Sequence, residues 1–403
     1  MISLDELVAA RRRVTPVLRP TNLEPSHSLS RLAGRPVLLK PEHRQRTGSF
    51  KIRGAYNRLH QLAPGVAVVA ASAGNHAQGV ALAAALTGRR ATIFMPANAS
   101  LPKVEATRAY GAEVRLAGQG LDEAIAAARD WAAAAGAVYV PPFDDAVVIA
   151  GQGTLGLELV DDAPDAEVVV VPVGGGGLIA GVGAALAASP TPAAGRRTRV
   201  VGVEAAGAPT MTRALAAGRC VMLERVSTMA DGIAVGSVSE LTLAHARAFV
   251  DEMVTVEEEQ ISAAMLLLVE RAKAVVEPSG AAALAAVLAG KVAGSGPVVA
   301  VLSGGNVDPL LLTKLVHHGL SAAGRYLVLR VVMADRPGAL AGLTARVAQM
   351  NLNVLDVEHH RSGFSLGLDQ VEVALTLETR DRAHHREIVD ALGASGYQVQ
   401  LVN

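Results

Sequence analysis

The residue pattern predicts an α/β protein built on parallel sheets, followed by a small module of order βαββαβ. Three observations carry that prediction. Short apolar runs of strand length alternate with Ala-rich helical stretches over most of the chain. Hydrophobic residues make up 51% of the sequence and aromatics only 3%, so Ala, Val and Leu must fill the core, as in sheets buried on both faces. Beyond residues 317–325 the pattern changes. With 403 residues, the chain has room for two or three domains.

The elements follow in order. A helix opens the chain, with Arg11-Arg12-Arg13 on its solvated face. Residues 66–71 are a short apolar run, followed by Ser72-Ala73-Gly74-Asn75 and an Ala-rich helix starting at His76. Residues 91–95 make the next strand, and a helix starts at Leu101. Residues 168–173 precede Gly174-Gly175-Gly176-Gly177 and another Ala-rich helix from Leu178. Residues 200–204 and 298–302 repeat the strand pattern. His318-Gly319-Leu320-Ser321-Ala322-Ala323-Gly324 reads as a helix end and linker. After it come a strand at 326–333, a turn at Asp335-Arg336-Pro337-Gly338 and an amphipathic helix at 339–350. Strands at 354–360 and 370–377 flank a loop at Ser362-Gly363, a helix covers 382–395, and 397–402 closes the ferredoxin-like order.

Composition excludes several function classes. Formal net charge is zero and the pI is about 7.2, so nothing basic attracts nucleic acid or anionic lipid. Cys220 is the single cysteine, which rules out an internal disulfide and suits a reducing compartment. The start Met1-Ile2-Ser3-Leu4-Asp5-Glu6 lacks the basic and apolar regions of a signal peptide. Residues 168–188 carry no charge and are long enough to span a bilayer, but Pro172 and six glycines make them a β-loop-α unit. The expectation is a cytoplasmic protein with no membrane partner. His317-His318, His359-His360 and His384-His385 are adjacent pairs whose side chains diverge, so no zinc site is expected.

Four short segments have residue types suited to chemistry. The first, Thr47-Gly48-Ser49-Phe50-Lys51, puts one of only six lysines in a small-residue turn, where it is either a surface charge or an amine held for Schiff-base chemistry. In Gly174-Gly175-Gly176-Gly177, successive backbone N–H groups ahead of a helix make either a phosphate cup or a structural turn. No Gly-Lys-Ser/Thr follows, so it is not a nucleotide P-loop. Ser72-Ala73-Gly74-Asn75-His76 suits a carboxylate, or else Ser72 or Asn75 simply caps the helix. Ser303-Gly304-Gly305-Asn306 puts a hydroxyl at a strand's C-terminal end, where α/β ligands bind, or merely ends that strand.

Together, these segments resemble a known family. Ser49-Phe50-Lys51-Ile52-Arg53-Gly54-Ala55, Ser72-Ala73-Gly74-Asn75-His76-Ala77-Gln78-Gly79 and Gly151-Gln152-Gly153-Thr154 look like fold type II, tryptophan synthase β-like, pyridoxal-phosphate enzymes. Pro172-Val173-Gly174-Gly175-Gly176-Gly177-Leu178, Glu277-Pro278-Ser279-Gly280-Ala281 and Ser303-Gly304-Gly305-Asn306 extend the match in order and spacing. The resemblance is nearest to threonine dehydratases, with serine dehydratases and serine racemases close by. It implies a catalytic domain over 1–320 made of two open parallel-sheet subdomains, the smaller (about 45–150) inserted in the larger. Residues 326–403, with Asp335-Arg336-Pro337-Gly338-Ala339-Leu340, resemble an ACT regulatory domain.

The resemblance also implies roles. Lys51 holds pyridoxal 5'-phosphate as a Schiff base and acts as the catalytic base. Gly174, Gly175, Gly176, Gly177 and the Leu178 amide hold the phosphate, Asn75 the ring hydroxyl and Ser303 the pyridine nitrogen. Ser72, Ala73, Gly74, Asn75 and His76 grip the substrate carboxylate. A neutral Ser303 suits β-elimination over amino transfer, and Ala73 stands where racemases carry a second acid/base serine. Glu204 fits one member of a family metal site, but Thr210 stands where an Asp is needed, so no metal is expected. The expected activity is deamination of L-threonine in isoleucine biosynthesis, with L-serine as the alternative substrate and branched-chain amino acids as effectors. A homodimer or homotetramer is implied. The alternative from another class is a non-catalytic amino-acid sensor.

Overall fold

A computed structural model describes residues 1–189, 197–322, 324–361 and 366–402. The loop expected at Ser362-Gly363 and Ala323 of the expected linker lie outside the described residues. The chain divides into two compact units, Met1–Leu311 and Leu312–Asn403, and the division falls inside a helix, Pro309–Ala322.

The strands of the first unit are β1 (Glu24–Pro25), β2 (Val37–Lys40), β3 (Val68–Ala71), β4 (Ala91–Met95), β5 (Glu113–Leu116), β6 (Val138–Tyr139), β7 (Val168–Pro172), β8 (Arg199–Ala205), β9 (Glu252–Val256) and β10 (Val298–Val301). They form two sheets, ordered β5-β4-β3-β6 and β1-β2-β10-β7-β8-β9. All pairings are parallel except β1 with β2. That two-residue antiparallel edge is too short to leave a sequence signal. Every residue of β3, β4, β7 and β10 is buried, because helices cover both faces; this is why these strands read as unbroken apolar runs.

The larger sheet packs Val169, Val171, Val299 and Val301 against Leu155, Leu159 and Ile179. The smaller one packs Val68, Ile93 and Met95 with Ile52 and Val80. The helices Leu121–Ala135 and Ala146–Asp162 are further elements that the sequence reading did not delimit. Within the opening helix, Arg12 is exposed as expected, whereas Arg11 pairs with Asp161 and Arg13 donates to Asn57 Oδ1 at 3.1 Å. Among the described residues, no helix is long and apolar enough to cross a membrane.

The second unit carries β11 (Tyr326–Ala334), β12 (Val354–His360), β13 (Gln370–Glu378) and β14 (Gln398–Leu401) in an antiparallel sheet ordered β12-β13-β11-β14. Burial alternates along β11 and β13. Their buried residues, among them Leu329, Val331, Val373 and Leu375, pack on Leu343, Val347, Ile388 and Leu392 of the two helices. This is the βαββαβ order expected.

Candidate active site

The C-terminal ends of β3, β7 and β10 lead into Ser72, the glycine loop and Ser303, the side of a parallel sheet on which ligands bind. Lys51 is tied to that side. Phe50 N–H donates to the Ser303 carbonyl at 3.2 Å, and Ser49 bridges Gly304. Lys51 then opens the helix Lys51–His60, whose Ile52, Ala55 and Leu59 are buried in the small-sheet core.

Behind Lys51, the buried guanidinium of Arg53 binds the buried carboxylate of Glu42 (2.8 Å), Glu158 (2.6 Å) and the Thr154 hydroxyl (3.1 Å). Gln152 Oε1 accepts from Gly54 N–H at 3.1 Å. A Cβ on Gly151 would lie 2.6 Å from Gly54 Cα, and one on Gly153 would lie 2.8 Å from the Gly181 carbonyl. The segment Gly151-Gln152-Gly153-Thr154 thus lets two helices approach closely and locks the Lys51 helix in place.

Lys51 Nζ donates to the Pro142 carbonyl at 3.0 Å. Burial lowers its pKa to about 8 despite the attraction of Glu277, so the neutral amine is accessible near physiological pH. The reading of Lys51 as a plain surface charge therefore does not hold. The next residue, Phe143, packs on the glycine loop: a Cβ on Gly175 would sit 2.2 Å from its ring, and one on Gly177 would sit 2.8 Å from its Cβ. Gly176 adopts φ +88° beside Met211. Side chains are therefore excluded from one side of the loop. The N–H groups of Gly174, Gly175 and Gly176 donate to no protein group among the described residues. Unpaired N–H groups in a largely buried loop ahead of a helix fit an anion, and a phosphate ester satisfies them.

Ser72 Oγ accepts from Gly74 N–H at 3.1 Å, and Gly74 itself is the N-cap of the helix Asn75–Leu86 without a side-chain cap. The capping alternative for Ser72 and Asn75 is thereby removed, and the loop 72–75 is half-buried. His76 is buried, and its Nε2 bonds the Val140 carbonyl at 2.8 Å. Burial, and then nearby Lys51, lower its pKa to about 3, so His76 is neutral, donates to that carbonyl and orders the loop from behind. Asn75 Nδ2 donates to Glu277 Oε1 at 2.6 Å, and Ser303 is buried one residue before Gly304, against which that pair lies.

Glu204 stands apart from these groups. Its Oε1 accepts from Met211 N–H (2.6 Å), and its Oε2 accepts from Thr212 N–H (3.0 Å) and Oγ1 (2.6 Å). Both oxygens are committed to the start of the helix Thr210–Ala217, whose Met211 abuts Gly176, and burial raises the carboxyl pKa. Among the described residues, no group of three His, Cys, Asp or Glu could hold a metal ion.

The remaining candidates converge: Lys51 reaches the glycine loop through Pro142-Phe143, and Asn75 reaches the Ser303 segment through Glu277 and Gly304. Sequence reasoning assigned no role to Pro142, Phe143, Glu277 or Asn306. Glu277 carried a signal in its family motif; a proline carbonyl and a packing ring carry none.

Residues 14–304 match the family described as pyridoxal-phosphate dependent enzyme, and residues 327–394 match the ACT domain. The L-threonine ammonia-lyase of Thermotoga maritima is 47% identical over 406 aligned residues, which cover 100% of both chains. Among solved structures, a threonine deaminase from T.th. superposes with a TM-score of 0.71 at 44% identity, covering 76% of this chain and 99% of that one. Maize serine racemase superposes with a TM-score of 0.73 at 34% identity, covering 80% and 98%.

Proposed function

The chain belongs to the pyridoxal-phosphate dependent enzymes and carries an ACT domain, and from that premise we propose that it is an L-threonine ammonia-lyase yielding 2-oxobutanoate and ammonia. The observation that carries the reading is the partly buried Lys51, its amine held by the carbonyl of Pro142, whose neighbour Phe143 packs on a glycine loop with N–H groups that donate to no protein group among the described residues. Full-length similarity to an L-threonine ammonia-lyase supports it.

Gly174, Gly175, Gly176, Gly177 and the Leu178 amide would hold the phosphate, Asn75 the ring oxygen and Ser303 the ring nitrogen. Bound pyridoxal phosphate supplies a sink for the electron pair left when the substrate Cα–H bond breaks. Lys51 receives that proton, its lowered pKa keeping part of the amine neutral at working pH. The Ser72 hydroxyl and the amides of Ala73, Asn75 and His76, which donate to no protein group among the described residues, would bind the carboxylate and fix which Cα bond faces Lys51. Ser303 has no charge with which to hold the ring nitrogen protonated, which favours prompt loss of the β-hydroxyl over amino transfer. Ala73 has no proton to exchange, which favours elimination from the L-amino acid over racemisation.

Threonine and serine differ by one methyl group, a discrimination of only about 1–3 kcal/mol, so L-serine is the alternative substrate. We assign the activity to isoleucine biosynthesis in the cytoplasm by a homodimer or homotetramer, with isoleucine or valine acting through the ACT domain. The test is keto-acid formation from L-threonine and L-serine, with and without isoleucine and valine. Lys51→Ala should remain folded, fail to be labelled by borohydride and lose turnover. Robust turnover in that variant, or no keto acid from the wild type, overturns the reading. An unchanged threonine saturation curve across millimolar isoleucine and valine overturns the regulatory part alone.

A further inference from the structure

Asn75 is gripped at both ends of its amide. Its Nδ2 donates to Glu277 Oε1 at 2.6 Å, and its Oδ1 accepts from Asn306 Nδ2 at 2.7 Å. Asn306 Nδ2 also donates to the Thr47 carbonyl at 2.6 Å. A carbonyl oxygen only accepts, so Thr47 decides which end of Asn306 faces inward. Asn306 then demands an oxygen from Asn75, and a carboxylate at Glu277 demands a nitrogen. Among the described residues, the second Nδ2 hydrogen of Asn75 has no acceptor.

The backbone is shaped around this relay. A Cβ on Gly304 would lie 2.2 Å from Glu277 Oε1 and 2.9 Å from Asn75 Nδ2. One on Gly48, at φ +69°, would lie 2.5 Å from Asn306 Oδ1. Glu277 N–H donates to the Gly304 carbonyl at 3.1 Å, and Glu277 begins the helix Pro278–Leu288, so its carboxylate is borne on a fixed point of the fold. Glu277 is 4% exposed, and none of the steps above uses it.

We propose that Glu277 is a positioning residue that acts through Asn75, pinning the amide so that its remaining N–H, and not its oxygen, faces the cofactor ring oxygen. The assignment rests on the proposed function, which places Asn75 at the ring. An N–H there stabilises negative charge on the ring oxygen, whereas an amide oxygen would repel it. The charged groups facing Glu277 come from three elements: Lys51, Lys103 of the helix Leu101–Ala109, and Asp231 of the turn Asp231–Ile233. Burial and Asp231 raise the Glu277 pKa to about 7 against the opposing effects of Asn75, Lys103 and Lys51. A protonated Glu277 no longer demands the Asn75 N–H, so the grip weakens as pH falls through neutrality.

The test uses holoenzyme: wild type, Glu277→Gln and Glu277→Ala. The visible band of bound pyridoxal phosphate is recorded from about pH 5.5 to 8.5, a range that brackets the shifted carboxyl. Cofactor Kd is measured by titrating the apoenzyme, and kcat and KM are measured for L-threonine. The wild-type band should respond to pH with a midpoint near neutrality, and the Gln variant should lose that response. Glu277→Ala should loosen the cofactor and lower kcat about ten- to a hundredfold, with KM within about threefold. Glu277→Gln, whose Oε1 can still accept from Asn75 but which carries no charge to demand its N–H, should recover kcat only to the level the wild type shows at low pH. An Ala variant with wild-type band, Kd and kcat overturns the assignment, as do Ala and Gln variants equally slow with unaltered spectra. If the Ala variant does not fold, the Gln variant decides by whether its band still responds to pH. A wild type that takes up no pyridoxal phosphate overturns the proposed function and this assignment with it.

Discussion

Gly175→Ala adds one methyl group to the loop proposed to hold the phosphate, without removing an N–H. That methyl carbon would lie 2.2, 2.3 and 2.4 Å from Cδ1, Cε1 and Cγ of Phe143. Carbon atoms pack at about 3.5–4.0 Å, so the ring must retreat by more than about 1 Å. It has little room to do so: Phe143 Cβ and Cα already lie against Gly177, and the preceding carbonyl, that of Pro142, binds Lys51 Nζ. Forced repacking of this kind costs about 1–3 kcal/mol. Urea unfolding of the cofactor-free protein should show that loss, and cofactor titration should show weaker binding, because retreat of the ring moves the loop and the Lys51 acceptor together. Gly175→Ala/Phe143→Ala removes the clashing ring, so the pair should be more stable than the sum of the two single losses by about 1 kcal/mol or more. Gly74→Ala is the control, since a Cβ there meets nothing within 4 Å; it should shift stability by less than about 0.5 kcal/mol. Strict additivity in the double variant, or a Gly175→Ala protein as stable as wild type, refutes the packing argument.

Other outcomes follow from the same geometry. Arg53→Met leaves Glu42, 0% exposed, without its guanidinium and should lose about 3–5 kcal/mol in urea unfolding; Glu42→Leu/Arg53→Met should lose less than that single change. His76 is held neutral in the fold with a pKa of about 3, below its unfolded value of 6.5, so it contributes stability above pH 6.5 that is lost as pH falls toward 3. In that window the slope from this residue should approach about 1.4 kcal/mol per pH unit, and His76→Gln should flatten the acid limb of a Tm–pH curve. Glu204→Ala strips two backbone N–H groups and a hydroxyl of their acceptor and should cost about 2–3 kcal/mol in the same unfolding assay. Lys103→Ala breaks a solvent-facing ion pair with Asp231 and should shift stability by less than about 1 kcal/mol, a difference that added salt removes.

Residues 168–173 and 298–302 were legible as strands because a strand buried on both faces shows no polar interruption, and β7 and β10 are buried throughout. The alternation along β11 was legible for the opposite reason: that strand buries one face. The two-residue β1 escaped because its antiparallel pairing is local to two positions. In the candidate site, Lys51, the four glycines, the Ser72 loop and Ser303 were visible because each sits at a strand end or helix start, where small residues interrupt an apolar pattern. Whether such residues cap a helix or face a ligand was not visible. Ser72 caps nothing and bonds Gly74 N–H, while Glu204, read as a weak metal candidate, proves to be the helix-capping acceptor. Those outcomes depend on side-chain direction, which residue type alone does not specify.

By itself, the sequence determined the class of the fold, the order of its units and the residues able to bind phosphate and carry an amine, because period, turn chemistry and glycine content act over a few neighbouring positions. The tertiary structure decided what each of those residues meets. Lys51 finds the Pro142 carbonyl 91 positions away, Asn75 finds Glu277 across 202, and Asn306 reaches back 231 to Asn75. No local window encodes such contacts. They exist because the fold brings loops at the strand ends of its two sheets into hydrogen-bonding reach, and because glycines at 48, 175 and 304 leave room where any side chain would collide with the groups that meet there.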